Sequence, residues 1–580
     1  MCADITDLNG EKQPFCGNLL SNLFFSVIFT RSQRSNRDTV SINSTNSEPE
    51  QVNEPASSAS PPPAPRLLRS GLIVSVMTFL SRILGLVRDV AIAALVGAGA
   101  AADVFLFANK IPNFLRRLFA EGAFAQAFVP VLTEYHRGKS LDETRLLLAR
   151  VAGTLGTLVG VVTLLAVIFS PVVAALFGMG WFMDWLQGGE QAHKFELASL
   201  LLKITFPYLF FITLTALAGA SLNVLGRFGV AAFTPVLLNV SVIVAALWLA
   251  PMLERPEIGL ALGVFVGGIV QFLFQLPFLK QAGLLVMPKW GWHDPGVVRI
   301  RTLMIPALFG VSVSQINLLL DTVIASFLVT GSISWLYYAD RLLEFPLGLF
   351  GIAIATVILP ALSARHVDQS LEKFQQTLDW GVRMVVMLGL PAMAALFVLA
   401  EPMILVLFER GSFTPNDAAL SSYALMAYAT GLLSFMLVKV LATGFFSRQD
   451  TKRPVKYGII AMAANMVMNI ILAIPFGYVG LALATALSGT VNAALLGIVL
   501  YREGVLLLSS QTRRFIVQVA LATLVMVLVL LWWLPANSEW VAAQFWQRTR
   551  WLTALIAIGG VTYVVSWFLF GGRLRAIRAQ

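Results

Sequence analysis

The chain has 580 residues, 57% of them hydrophobic and only 12% charged, with a mean hydropathy of +0.78. Soluble domains carry about 25% charged residues, so this composition excludes a soluble globular protein and predicts a polytopic membrane protein. The formal charge of +10 does not point to nucleic acid, because the basic residues lie in short segments between apolar runs, as the positive-inside rule requires.

Residues 1–65 differ from the rest. Ser, Asn, Pro and Glu dominate from Ser32 to Pro65, ending in Pro61-Pro62-Pro63, a composition expected to be a disordered extension. The apolar patch Leu19–Phe29 is too short to span a bilayer. It also makes a poor signal peptide, since Asp4, Asp7 and Glu11 occupy the n-region and no clear cleavage site follows. Both cysteines, Cys2 and Cys16, fall in this tail, leaving no disulfide framework or cysteine metal cluster for the membrane part. The histidines, His136, His193, His293 and His366, read as loop residues, none at zinc-helix spacing.

About fourteen transmembrane helices follow, at 70–97, 103–132, 146–178, 195–224, 229–250, 257–279, 299–329, 333–362, 375–408, 417–446, 454–474, 478–501, 512–534 and 549–571. The fold class is therefore an all-α integral membrane protein. Alternate loops differ in charge. One set carries Arg137, Lys139, Arg227, Lys280, Lys289, Arg299, Arg301, Arg365, Lys373, Arg448, Lys452, Arg453, Lys456, Arg513 and Arg514; the other carries only Lys194, Arg255, Arg410, Arg548 and Arg550. The rich side is predicted to be cytoplasmic, with both termini on it.

The sequence repeats. Gly259-Leu260-Ala261-Leu262 recurs as Gly480-Leu481-Ala482-Leu483, each at the same interval after a loop arginine, Arg227 or Arg448, with Pro235 or Pro454 between. Lys110 to Pro130-Val131-Leu132 likewise parallels Arg341 to Pro360-Ala361-Leu362. Two pseudo-symmetric six-helix halves are expected, residues 66–280 and 281–505, with two appended helices in 506–580. A parallel repeat places its site between the halves.

The charges that cost most lie in residues 81–121. An ionisable group at mid-helix costs roughly 2.5–3.5 kcal/mol on insertion scales, so these groups must face water or a partner. At about 100° per residue, Lys110, Arg117 and Glu121 fall in a narrow arc, with Asn113 close by; Arg82 and Asp89 share a face, while Arg88 and Arg116 point elsewhere. Snorkelling to headgroups is the competing reading, strongest for Arg116 and Arg117 and weak for Arg82 at mid-span. The second half offers Asp340, Arg341 and Glu344, with Arg341 and Glu344 placed to pair at i, i+3. Asp321, with Ser312, Ser314, Gln315 and Asn317, makes one helix unusually polar, and Asp321 is a candidate ion or proton site. Guanidinium forks match phosphate oxygens bidentately; three or four around one cavity suit a pyrophosphate, with Asp89, Asp103 and Glu121 holding them when the site is empty or closing a gate. No catalytic or ATPase motif is seen: Gly138-Lys139-Ser140 ends like a P-loop, but Thr133 stands where its first glycine belongs. No cofactor is expected, and energy is assigned to a membrane potential or coupling ion.

The stretch Ser81–Asp89, the run Pro112-Asn113-Phe114-Leu115-Arg116-Arg117-Leu118-Phe119-Ala120-Glu121-Gly122-Ala123-Phe124, and the run Trp335-Leu336-Tyr337-Tyr338-Ala339-Asp340-Arg341-Leu342-Leu343-Glu344-Phe345-Pro346 closely resemble the MurJ (MviN) family of bacterial lipid II flippases, from about residue 65 to the end. The resemblance implies a fourteen-helix member of the multidrug/oligosaccharidyl-lipid/polysaccharide exporter superfamily in the bacterial inner membrane. It also implies transport of undecaprenyl-pyrophosphate-linked disaccharide-pentapeptide to the periplasmic leaflet, for peptidoglycan synthesis, with a cell-wall synthesis complex as an expected partner. Matching positions imply cavity roles for Arg82, Arg88, Asp89, Asp103, Asn113, Arg116, Arg117, Ser334, Arg341 and Glu344, and a lipid-tail groove for the last two helices. Residues 1–64 have no counterpart in the family pattern, and a neutral polar residue is the family expectation at Asp321. Rival readings are a flippase for another undecaprenyl-pyrophosphate glycan and a MATE-like antiporter, the latter calling for an acidic, aromatic cavity.

Overall fold

The structure, a computed structural model, describes residues 64–117, 123–367, 370–507 and 509–573. The chain divides into units Met1–Pro62 and Pro63–Gln580. The first, with Cys2, Cys16 and nearly all of the expected extension, lies outside the described residues, as does Glu121.

Every regular element described is helical. In chain order these are α1 (Ala64–Val96), α2 (Ala100–Arg116), α3 (Ala123–Gly138), α4 (Leu141–Ile168), α5 (Ser170–Phe177), α6 (Met179–Gln187), α7 (Ala192–Thr205), α8 (Pro207–Val224), α9 (Phe228–Val244) and α10 (Pro256–Gln281). Then come α11 (Pro295–Ala325), α12 (Ser332–Pro346), α13 (Ile352–Val367), α14 (Leu371–Val398), α15 (Ala400–Phe408), α16 (Pro415–Ala429), α17 (Leu432–Phe446), α18 (Lys452–Arg502), α19 (Ser510–Trp533), α20 (Asn537–Ala542) and α21 (Phe545–Leu569). In hydrocarbon only a helix or closed barrel satisfies its own backbone polar groups, so the apolar composition leads directly to this architecture.

Ten helical stretches among the described residues are long and apolar enough to cross a membrane. The longest, α18, is two helices joined at Gly477, whose φ of 55° and ψ of −133° interrupt it where the sequence placed a break. The remaining expected spans are α1, the α2–α3 pair and α11, so the count is consistent with about fourteen. Several spans expected to be continuous are broken: at Phe169 ahead of Pro171, at Phe206 ahead of Pro207, and at Gly431. Pro lacks an N–H and clashes with the preceding turn, which accounts for the first two. The short helices α6 and α20 lie between the expected spans. Of the four histidines, only His293 is in a loop; His136, His193 and His366 occupy terminal helical turns.

The repeated glycines do equivalent work. A Cβ on Gly259 would collide with Ala250, and one on Gly480 with the carbonyl of Leu472. Each glycine thus lets its helix cross closely over residues eight or nine positions earlier. The connection from α10 to α11 folds back on α4: Lys289 N–H donates to Ala149 O at 2.9 Å, Gly291 N–H donates to Thr154 Oγ1 at 3.1 Å, and Arg150 pairs with Asp294. α11 then packs on both α3 and α18. The terminal helices α19 and α21 pack on each other and on α14 and α15. Outward-facing residues such as Leu164, Val172, Ile474 and Trp532 are exposed, as lipid contact requires.

Candidate functional site

The costly charges of α1 find partners on α9 and α12. Asp89 is buried at 1% exposure. Its Oδ1 accepts from Arg88 Nη2 at 2.7 Å, Arg88 Nε at 3.0 Å and Tyr337 OH at 2.8 Å. Arg88 Nη1 also donates to Asn239 Oδ1 on α9 at 3.0 Å. On the other oxygen, Arg341 Nε approaches Asp89 Oδ2 at 3.2 Å, while Arg341 Nη1 donates to Glu344 at 2.9 Å and the guanidinium lies 4.9 Å from the Tyr337 ring centre. One carboxylate from α1 therefore anchors arginines from two distant parts of the chain. The Arg341–Glu344 pairing matches the i, i+3 expectation. The helical-wheel placement of Arg88 away from Asp89 is corrected: its long side chain reaches back to its neighbour's carboxylate.

Around this node other charged groups converge. Arg82 lies over Gly348, so near that a Cβ there would collide with its guanidinium. Lys110 on α2 faces Asp321 on α11, Asp340 on α12 and Arg117. Asp321 accepts from Asn469 Nδ2 at 2.6 Å, and the same nitrogen donates to Asn465 Oδ1 at 3.0 Å. Asn113 Nδ2 donates to Asn109 O at 2.8 Å, while Asn113 Oδ1 accepts from Arg116 Nε at 3.2 Å. Arg82 and Arg117 are exposed, Arg341 is 35% and Glu344 50% exposed. Charged groups from α1, α2, α11 and α12, exposed at Arg82, Arg117 and Glu344 and half-buried at Lys110, Asp321, Asp340 and Arg341, thus gather in one region of the bundle, called the chamber below; in apolar helices such groups call for water or a partner. The side chains of Ser312, Ser314, Gln315 and Asn317 fall outside the described ones.

Above the chamber, at the end with few basic loops, the bundle is sealed by helix ends capped across the chain. Asp103, 2% exposed, accepts from Gly331 N–H at 2.7 Å, Ser334 N–H at 3.0 Å and Ser334 Oγ at 2.7 Å, and sits 3.5 Å from Lys194 Nζ. Those N–H groups open α12, whose first turn has no partners of its own, and its dipole favours an anion there. At the end of α1, Tyr338 OH donates to Gly97 O at 3.2 Å, while Ser412 donates to Ala94 O at 2.8 Å and Leu95 O at 3.0 Å. Asp103 and Ser334 are thus buried parts of a seal; no arginine contacts the Asp103 carboxylate among its described bonds. Lys194, expected as a loop charge, is instead buried on α7 at 1% exposure, with Gln191 Oε1 at 3.1 Å and the Trp181 ring at 5.4 Å. Sequence reasoning also missed Tyr337, Asn239, Asn465 and Asn469. A lone Asn in an apolar helix was the available signal for the last three.

A helical membrane bundle with charged groups gathered from several helices and one end closed by reciprocal caps has the architecture of a membrane transporter. The comparisons identify which kind. The family described as "Lipid II flippase MurJ" matches residues 92–549. A Vibrio cholerae protein named "Probable lipid II flippase MurJ" is 64% identical over 514 residues, covering 89% of this chain and 98% of that one. A solved structure titled "Lipid II flippase MurJ, inward closed conformation" aligns with a TM-score of 0.72 at 27% identity, covering 86% of this chain and 98% of that chain. An inward-facing MATE family transporter shares the fold alone, with a TM-score of 0.59 at 15% identity over 75% of this chain and 98% of that one. The chain belongs to the lipid II flippase MurJ family.

Proposed function

We propose that this protein flips lipid II across the bacterial inner membrane by alternating access, with its arginine-rich end and both termini in the cytoplasm. Family membership carries the substrate. The observation that carries the mechanism is the position of Arg341, held by Asp89 and Glu344 while partly exposed to the chamber. An incoming pyrophosphate, like a carboxylate, offers paired anionic oxygens that a guanidinium binds bidentately, so it can replace Glu344 without leaving the guanidinium unpaired. Arg82, reaching from α1, and Arg88 behind it add positive field, and Lys110 and Arg117 extend it along α2. The sugar-peptide head occupies the wet chamber and the prenyl tail stays in lipid, in a groove lined by α19 and α21. Rocking of residues 66–280 against 281–505 then breaks the seal and opens the periplasmic face. Return of Glu344 to Arg341 resets the site.

Drive comes from the membrane potential or a coupling ion. Asp321 is the carboxylate we assign to such an ion. Its neighbour Asn469 Oδ1 is buried without a hydrogen-bond partner, a free oxygen beside the carboxylate that suits a small cation.

Replacing Arg341 or Arg82 by Ala is expected to abolish flipping while the protein stays folded and membrane-inserted. Lipid II then accumulates in the cytoplasmic leaflet on depletion of the wild type. Full translocation by either variant refutes the assignment, and accumulation of a different polyprenyl-linked glycan instead redirects the substrate.

A further inference from the structure

We propose that Arg548 and Glu409 form a latch through which the two terminal helices hold the periplasmic seal shut, making Arg548 a positioning residue for the flipping cycle. The proposal rests on the alternating-access reading above and concerns residues that lie outside the chamber.

The loop at 409–414, between α15 and α16, is the part of the seal that covers the end of α1. Its Ser412 supplies donors to Ala94 O and Leu95 O, carbonyls of the last turn that lack helical partners. The approach is flush. Gly411, at φ +59°, sits where any Cβ would strike the Ala94 carbonyl, and a Cβ on Gly97, at φ +64°, would meet Ser412 O. A loop seated this closely caps α1 only while its own position is fixed.

What fixes it lies on the other side. Glu409, the residue before the loop's arginine, pairs with Arg548 in the first turn of α21, and that side chain is only 8% exposed. Arg548 Nη2 also donates to Val541 O at 2.7 Å, tying in α20. Arg410 lies 5.0 Å from the Phe545 ring centre and donates to Val406 O at 2.9 Å. Asn537 Nδ2 donates to Glu401 at 2.8 Å. At the opposite end of the bundle, Thr512 on α19 donates to the buried Asp379 on α14 at 2.6 Å. The terminal pair is therefore pinned at both ends. Its periplasmic pin lands on the gate loop, so a displacement of α21 reaches the end of α1 through two residues, Arg548 and Glu409. Breaking one partner of a buried pair leaves the other charge uncompensated, which gives the link a defined energetic sign: loss of the pair loosens the closed seal.

The test uses the full chain with Cys2 and Cys16 replaced by Ser and a single reporter, Ala98→Cys. Ala98 is 3% exposed, and its carbonyl lies against Gly331 in the seal. A membrane-impermeant maleimide added from the periplasmic side reads opening as a labelling rate in intact cells. Glu409→Gln and Arg548→Gln are each expected to raise that rate about tenfold, equivalent to about 1.4 kcal/mol, and the exchange Glu409→Arg with Arg548→Glu is expected to bring it back down. A pure folding staple would lower the melting temperature and leave the labelling rate unchanged. If Arg548→Gln does not fold, Glu409→Gln carries the test, since it leaves Arg548 bonded to Val541. Asp103→Asn serves as the seal-breaking control. Faster labelling in Asp103→Asn with no change in Glu409→Gln overturns the latch. No change even in Asp103→Asn overturns alternating access itself.

Discussion

Asp103 and Ser334 lie 231 positions apart, yet the carboxylate of one accepts both the backbone N–H and the side-chain hydroxyl of the other. A helix start that finds its cap on a distant helix is satisfied only while the two stay together. Separating them exposes the N–H groups of Gly331 and Ser334 and takes from Lys194 its carboxylate, leaving it Gln191. The seal is thus a set of bonds that hold only while the two helices stay together, the property a two-state gate requires.

Removing Asp103 tests this energy. Asp103→Ala leaves two N–H groups, a hydroxyl and the buried Lys194 ammonium without their acceptor. Breaking a buried pair by deleting one partner costs about 3–5 kcal/mol. Lys194→Met leaves Asp103 with three donors, so its cost is expected to be smaller, about 1–3 kcal/mol. Thermal melting in detergent should rank the variants in that order. Equal melting of Asp103→Ala and wild type would show that the caps contribute nothing to the closed state.

Gly348 tests the placement of Arg82. A methyl group at this position must push the guanidinium aside, and the far end of a flexible side chain yields cheaply. Gly348→Ala should therefore melt near the wild type yet flip poorly. Loss of one charge-assisted hydrogen bond to phosphate is worth about 1.5–3 kcal/mol, roughly a 10–100-fold weaker interaction. Lipid II binding to the purified variant measures it, and undiminished binding would remove Arg82 from the site.

The parts of this design legible in the sequence are those where hydrocarbon makes polarity expensive. Asp89, Arg341 and the Arg341–Glu344 spacing stand out because a charge in an apolar helix needs a reason. The break at Gly477 announces itself beside Pro475. Lys194 and Arg548 did not stand out, because a charge at a helix end reads equally well as a solvated loop residue; only tertiary packing buries them against Trp181 and the Glu409 loop. Two of the partners of Asp103 are backbone N–H groups, which leave no residue signature. The direction of Arg88 escaped because a wheel fixes Cβ, whereas a guanidinium reaches several ångströms from it.

At the arginine-rich end, Glu503 gives a pH prediction. Burial alone would raise its carboxyl, but the hydrogen bonds and charges of Arg448 and Arg453 outweigh this and hold it below the usual glutamate value. A folded-state value lowered in this way stabilises above the unfolded pKa of about 4.3, and that stability is lost as pH falls through the folded value. Melting temperature should drop across this acidic range, and Glu503→Gln, lower at neutral pH, should show a shallower drop. Parallel curves for the two proteins would mean the triad with Arg448 and Arg453 does not couple to folding.

The connection that folds back on α4 gives a sharper contrast between two glycines one turn apart. A Cβ on Gly153 would run into the backbone of Lys289, whereas one on Gly156 would meet only the Leu214 side chain at 3.7 Å, an ordinary contact. Alanine stabilises a helix interior relative to glycine by about 0.8–1 kcal/mol, so Gly156→Ala should be neutral or stabilising. At Gly153 the obstacle is main chain, which cannot rotate away. The strap must lift, weakening the Lys289 to Ala149 bond and the Arg150–Asp294 pair, and overpacking of this kind costs about 1–3 kcal/mol. Gly153→Ala should therefore melt below the wild type and become sensitive to protease between residues 283 and 294, while Gly156→Ala stays resistant. Because this strap joins residues 66–280 to α11, its release should also slow flipping in the first variant alone; matched behaviour of the two variants would mean that contact between the strap and α4 is incidental.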